Sequence, residues 1–110
     1  MSWNKDLQPG TYYVVAQLPF KDAEDRDKAA AIIKDSIEKT PLNEPDCLHF
    51  NMTRSVDGDK ENQPCYLTVI EIYRNVEAFM FHMKQSYVVE NTNKVRPLFS
   101  GTPDVRRFVL

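Results

Sequence analysis

The stretch Glu71-Ile72-Tyr73-Arg74-Asn75-Val76-Glu77-Ala78-Phe79-Met80-Phe81-His82 carries the chain from a strand directly into a helix. Tyr66 to Tyr73 is rich in β-branched and aromatic residues, which suit a pleated, packed surface. From Asn75 onward, Val76, Phe79, Met80 and Met83 return at helical spacing, which predicts a helix that buries these four. The same stretch holds one carboxylate, Glu71, and one imidazole, His82. A carboxylate is mostly ionised at neutral pH and a histidine titrates close to it. Facing one small cavity, the two could move a proton on and off a bound ligand.

On the N-terminal side, Tyr12 to Leu18 follows Pro9-Gly10 and reads as a first strand that Pro19 ends. Between Asp22 and Lys39, Ala23, Ala30, Ile33 and Ile37 recur at helical spacing, with acids in the first turn and Lys39 in the last, which predicts an amphipathic helix. The prolines of Thr40 to Asp46 predict a turn there. Cys47 to Arg54 alternates as a second strand, and the polar segment around Asp57-Gly58-Asp59 reads as the tip of a long hairpin to the third strand. After His82 a third helix runs from about Tyr87 to Phe99, with Val88, Thr92, Val95 and Phe99 on one stripe, and Gly101-Thr102-Pro103 stops it. Val105 to Leu110 closes the chain as a short strand whose apolar end argues against a frayed tail. The order is β-α-β-β-α-α-β.

Strands separated by helices around a central hairpin predict an α+β fold of the ferredoxin-like kind, one antiparallel sheet with helices on a single face. The first strand is apolar at both parities (Tyr12, Val14 and Ala16 against Tyr13 and Val15), and so is the third (Ile70 and Ile72 against Leu67 and Val69). A solvated face should alternate more cleanly. A second copy of the chain is therefore expected over the other face, two sheets closing into a dimeric α/β barrel. In the hairpin, parity is expected to set His49, Asn51 and Thr53 on the face of Leu67, Val69, Glu71 and Tyr73, with His49 near Glu71.

The 110 residues are read as a single domain, 1–110, with residues 1–11 as an N-terminal extension. The formal charge of -2 and the single basic doublet, Arg106-Arg107, speak against a nucleic-acid partner, which would need clustered, uncompensated cations. No stretch approaches the ~20 apolar residues of a membrane span, and the N-terminus has no apolar leader core, so no membrane partner and a cytoplasmic location are expected. Cys47 and Cys65 would sit near opposite ends of the hairpin, about eight residues or roughly 25 Å apart at ~3.3 Å per residue. A disulfide tolerates a Cα separation of only about 7 Å, so both are expected to be free thiols, in keeping with a reducing compartment. His49, His82, Cys47 and Cys65 show no metal-ligand spacing, and the three glycines are too isolated for a phosphate loop.

Glu44-Pro45-Asp46-Cys47-Leu48, then a strand, hairpin and strand ending in Glu71-x-Tyr73, then Ala78-x-x-x-His82, resembles the antibiotic biosynthesis monooxygenase domain of the dimeric α/β-barrel group. The likeness runs from about Tyr12 to Leu110. It implies a homodimer with a cleft in each subunit between sheet and helices. The activities it implies range over cofactor-free oxygenation of phenols and hydroquinones, quinol oxidation, haem degradation and isomerisation of small sugar-like signals. Glu71 matches the acidic position that ends the third strand and His82 the helical histidine. Members often carry a second histidine five positions on, where this chain has Tyr87. The haem-degrading branch places asparagine and tryptophan where this chain has Leu18 and His82, and Trp3 lies outside the motif, so haem breakdown is disfavoured.

The expected activity is a cofactor-independent monooxygenase acting on a small aromatic, phenolic or quinol-type substrate, with dioxygen as co-substrate and no metal. A phenol once deprotonated can pass an electron to dioxygen unaided. His82 is the expected base and Glu71 its orienting or proton-accepting partner. Asn51, Tyr73 and Tyr87 are expected to contact ligand oxygens, His49 to belong to the substrate site or the dimer interface, and Phe79, Phe81, Met83 and Phe50 to form the apolar wall. Two alternatives remain: an isomerase of a small hydroxyketone using the same pair for enolisation, and a non-catalytic dimeric ligand-binding or stress-responsive domain.

Overall fold

In the computed structural model, which describes residues 8–54 and 65–110, strand β1 (Tyr12–Phe20) lies inside a four-stranded sheet. Helix α1 (Ala23–Asn43) follows, then β2 (Cys47–Thr53), β3 (Cys65–Tyr73), α2 (Val76–Met83), α3 (Ser86–Val95) with a single 3-10 turn at Arg96–Leu98, and β4 (Asp104–Val109). The strand order is β2-β3-β1-β4 and every pairing is antiparallel. This is the expected ferredoxin-like α+β topology. The expected hairpin tip around Asp57-Gly58-Asp59, and Trp3, lie outside the described residues.

Local chemistry sets the helix starts. Asp22 accepts from the Asp25 amide at 2.9 Å and Asn75 from the Ala78 amide at 2.9 Å, each satisfying an N–H that the helix itself leaves orphaned. Helix α1 runs past the expected stop at Lys39, to Asn43, with Pro41 inside its last turn. Pro41 cannot donate to the carbonyl of Ile37, but the chain holds its helical path around it: the Thr40 hydroxyl donates to the Ser36 carbonyl at 2.7 Å, and the Glu44 amide to the Thr40 carbonyl at 2.8 Å. Helix α3 ends earlier than expected because Pro97 cannot extend it. The chain terminus is tied down, as its apolar end suggested: the Leu110 amide donates to Thr11 and the Gly10 amide to Leu110, with Gly10 at a φ of 93° that suits glycine.

The core lies between the sheet and the helices. Ala16, Leu18, Phe20, Leu67 and Val69 project from β1 and β3 onto Ala29 and Ile33 of α1 and Val95 of α3. Each large apolar side chain there stabilises the fold by about 1.5–3 kcal/mol. Truncating Leu67, 1 % exposed, to alanine would cost about 2–5 kcal/mol. The buried face of α1 is Arg26, Ala29, Ile33, Ser36 and Thr40, rotated slightly from the expected stripe of Ala23, Ala30, Ile33 and Ile37.

Two expectations are corrected here. In the β2–β3 register, Phe50 stands opposite Glu71 and Met52 opposite Val69, whereas His49 faces Ile72 and Asn51 faces Ile70, with an irregularity between Cys47 and His49. His49 and Asn51 are therefore exposed on the outer sheet face and not beside Glu71. The register is one residue from that expected because Phe50 and Met52 gain more from the core than His49 and Asn51 could. In α2 the buried residues are Ala78 and His82, with Phe79 half-buried, while Val76, Met80 and Met83 are exposed. This helix of only two turns carries apolar residues on every side, with Glu77 and His82 as its polar members, so its spacing alone did not select the inward side.

Candidate functional site

Glu44, the residue that caps the C-terminal end of α1, and His82, in the last turn of α2, are each only 2 % exposed. Both carboxylate oxygens of Glu44 lie on His82 Nδ1, at 2.9 and 3.0 Å. On the other side of the ring, His82 Nε2 is 3.8 Å from Glu71 Oε1. Tyr87 in the first turn of α3 donates its hydroxyl to Glu44, and Tyr73 donates to Glu71. Two carboxylates thus flank one imidazole, and each is backed by a phenol. An ionised Glu44 accepts the Nδ1 proton and thereby leaves the Nε2 lone pair turned toward Glu71.

Glu71 and His82 form part of the wall of a cavity of about 280 Å³ between the sheet and the helices. Most of the remaining wall is apolar, including Val14, Phe50, Val69, Phe79, Met83 and Val88, with Ser36, Asn91 and Thr92 the polar residues toward α1 and α3. The His82 ring is held by aromatic neighbours: Phe50 meets it edge-on at 4.9 Å between centroids, and Tyr73 tilts against it at 5.4 Å. All six residues of β4 are exposed, and Val105 and Arg107 from this strand line the cavity, so the cavity opens over that edge of the sheet.

Burial raises the Glu71 carboxyl above its ordinary range, against the smaller lowering effects of the Tyr73 hydrogen bond and the His82 and Arg107 charges. Burial, and then the charge of Glu71, keep the Tyr73 phenol firmly protonated. Tyr87 is pushed up to about 12, by burial first and by its bond to Glu44 second. Both phenols are donors at neutral pH, and neither can serve as a base. Cys47 is likewise pushed up to about 12, chiefly by burial and then by the Glu44 charge. Cys47 and Cys65 are free thiols. Among the described residues no group of three or more His, Cys, Asp and Glu side chains is arranged to hold a metal ion, and no helix is long and apolar enough to cross a membrane.

Of the residues expected from sequence, His82, Glu71, Phe79, Met83 and Phe50 line the cavity. Tyr73 and Tyr87 act one step behind it through the carboxylates. Phe81 is 52 % exposed and borders a separate hollow beside Pro45 and Cys47 rather than the apolar wall. Glu44 was missed as a site residue. A signal for it existed: an acid at the C-terminal end of a helix faces the negative end of the macrodipole, which is unfavourable unless a cation or donor meets it there.

The pattern of the antibiotic biosynthesis monooxygenase family matches residues 11–92. A protein of Caulobacter crescentus CB15, provisionally named an antibiotic biosynthesis monooxygenase, is 22 % identical, with a TM-score of 0.79 over 97 % of this chain and 95 % of that one. One from Nitrosomonas europaea, named in the same way, is 13 % identical with a TM-score of 0.79 over 94 % and 93 %. A conserved protein of Methanosarcina mazei Go1 is 17 % identical with a TM-score of 0.76 over 89 % and 90 %. At these identities the structures speak for the fold alone. No curated protein matches. With the family pattern spanning most of the chain and the fold shared nearly end to end, the protein belongs to the antibiotic biosynthesis monooxygenase family.

Proposed function

We propose that the protein is a cofactor-independent monooxygenase of small phenolic, aromatic or quinol-type substrates. The supporting observation is the buried Glu44–His82–Glu71 array on the wall of a largely apolar cavity. His82 Nε2 takes the proton of a substrate hydroxyl. Glu44 is a positioning residue that holds the ring and stabilises the imidazolium as it forms. The phenolate passes one electron to dioxygen, and the resulting radical pair combines at a ring carbon to a hydroperoxide that loses water. Phenol plus dioxygen gives quinone plus water, which balances without an external reductant. Apolar walls keep solvent from the radical pair.

One observation favours a second reading. Burial raises the Glu71 carboxyl, which favours its acid form as a donor to a ligand carbonyl opposite the base His82, the pairing that enolisation of a hydroxyketone needs. Oxygen uptake by the purified, metal-free protein over a panel of hydroquinones and phenols, beside His82→Ala and Glu71→Gln, tests the first reading. Uptake that collapses in His82→Ala supports it. Uptake no faster than the uncatalysed rate sinks it for that panel, and turnover of a hydroxyketone without dioxygen would establish the second.

The functional unit in this reading is a homodimer. Tyr13, Val15, Ile70 and Ile72 lie half-buried on the outer sheet face and Phe108 is exposed there, a surface suited to a second copy. Sedimentation of wild type against Ile72→Lys reads this: a dimer that becomes monomeric supports it, and a wild-type monomer rules it out.

A further inference from the structure

The geometry points to a substrate that carries a carboxylate as well as its reactive hydroxyl, with Arg107 as the residue that selects it. This rests on the oxygenase reading of the same cavity. Arg107 and Glu71 both stand opposite Val14, one on each side of β1, so they project onto the same face across a floor made by Val14. Two strand spacings separate them, about 10 Å at the backbone. Their side chains, and His82 above Glu71, reach inward over that floor. The gap suits one aromatic ring with a hydroxyl at the His82 end and an acidic group at the other, and the cavity volume has room for it.

Like Arg96, which bonds to Asn93, Arg107 makes no ion pair with a carboxylate among the described residues. Arg54 pairs with Asp27, Arg74 with Asp46, and its neighbour Arg106, on the other face, with Asp104. Arg26 pairs with Asp27 as well. Arg107 instead lays its guanidinium 5.4 Å from the centroid of Phe79, a ring that packs in turn on Tyr12 and Tyr73. Stacking on an aromatic plane holds a guanidinium at a fixed place while leaving its N–H edge open to a planar anion. The position is the mouth of the cavity, on the exposed strand β4, where an anion keeps part of its hydration on entry. Glu71, the acidic group on the same wall, has its carboxyl raised by burial, which lessens its opposition to an incoming anion.

The test compares two ligands of one shape. 4-Hydroxybenzoate and 4-hydroxybenzamide are titrated calorimetrically into wild type, Arg107→Gln, Arg107→Lys and His82→Ala. Wild type is expected to bind the acid about tenfold more tightly than the amide, the factor associated with one charge-assisted contact. Arg107→Gln is expected to bring the two within about twofold, Arg107→Lys to keep part of the preference, and His82→Ala to leave the ratio unchanged. Equal binding of acid and amide, binding of neither, or a preference that survives Arg107→Gln overturns the inference. Dioxygen plays no part in this measurement. A protein that shows the preference but never consumes dioxygen keeps the anion site and loses the oxygenase, and the reverse result removes the anion site alone.

Discussion

Replacing Glu44 by glutamine keeps the shape of the side chain and removes its charge. In the wild type both carboxylate oxygens lie within 3.0 Å of His82 Nδ1 and one also accepts from Tyr87, all with almost no access to water. The glutamine offers one acceptor and one donor group in their place. Its oxygen can still accept from Nδ1–H, but its amide can equally donate to a bare Nδ1, so the ring is no longer held in one tautomer. A hydrogen bond to a charged group contributes about 1.5–3 kcal/mol and a neutral one about 0.5–1.5, so the expected loss is about 1 kcal/mol, or a Tm lower by about 4–8 °C. Glu44→Ala should cost more, about 3–5 kcal/mol, because it strands the buried ring without its partner. Nitrogen-15 NMR of the histidine rings reads the tautomer directly. Wild-type His82 is expected as Nδ1–H, with Nε2–H appearing in Glu44→Gln. A wild-type ring already in the Nε2–H form, or a Glu44→Gln protein with unchanged tautomer and unchanged Tm, refutes the reasoning.

Glu71 gives a pH signature. Its folded carboxyl is raised above the unfolded value, so the folded state holds a proton that the unfolded state releases, and stability falls as pH rises through the interval between the two. Glu71→Gln lacks this proton, and its urea midpoint is expected to gain on wild type from about pH 4 upward; a gap that stays constant with pH contradicts it. The β2–β3 register predicts opposite outcomes for neighbours: Phe50→Ala should lose about 2–3 kcal/mol and His49→Ala less than about 0.5, and a reversal in urea unfolding would place the wrong residue inward. Cys47, pushed up to about 12 by burial, is expected to react with a disulfide reagent at pH 8 at least about a hundredfold more slowly than free cysteine. Fast labelling of the folded protein at that position would refute it.

The sequence made the topology legible because each element carried its own periodicity and its own punctuation, from Pro9-Gly10 before β1 to Gly101-Thr102-Pro103 before β4. It also pointed to His82 and Glu71 as a pair. What it did not show were relations set between elements. The one-residue register of β2 depends on whether Phe50 or His49 gains more from burial, which only the assembled core decides. The inward side of α2 was unreadable where Val76, Phe79, Met80, Phe81 and Met83 spread apolar side chains around two turns and Glu77 alone marks a charged side. Glu44 sat in a proline-marked segment that reads as a turn, whereas the helix that delivers it to His82 continues through Pro41 to Asn43.

That last turn of α1 has a further consequence. Helix ends are the first parts of a helix to open, and here such an end supplies the group that orients the imidazole. Thr40 and Ser36, neither of them near Glu71 or His82 in sequence, bond within the turn that sets where Glu44 rests. The orientation of the His82 ring thus depends on a turn of another helix, so Thr40→Val, which removes the bond and preserves the shape, is expected to loosen the histidine without touching it.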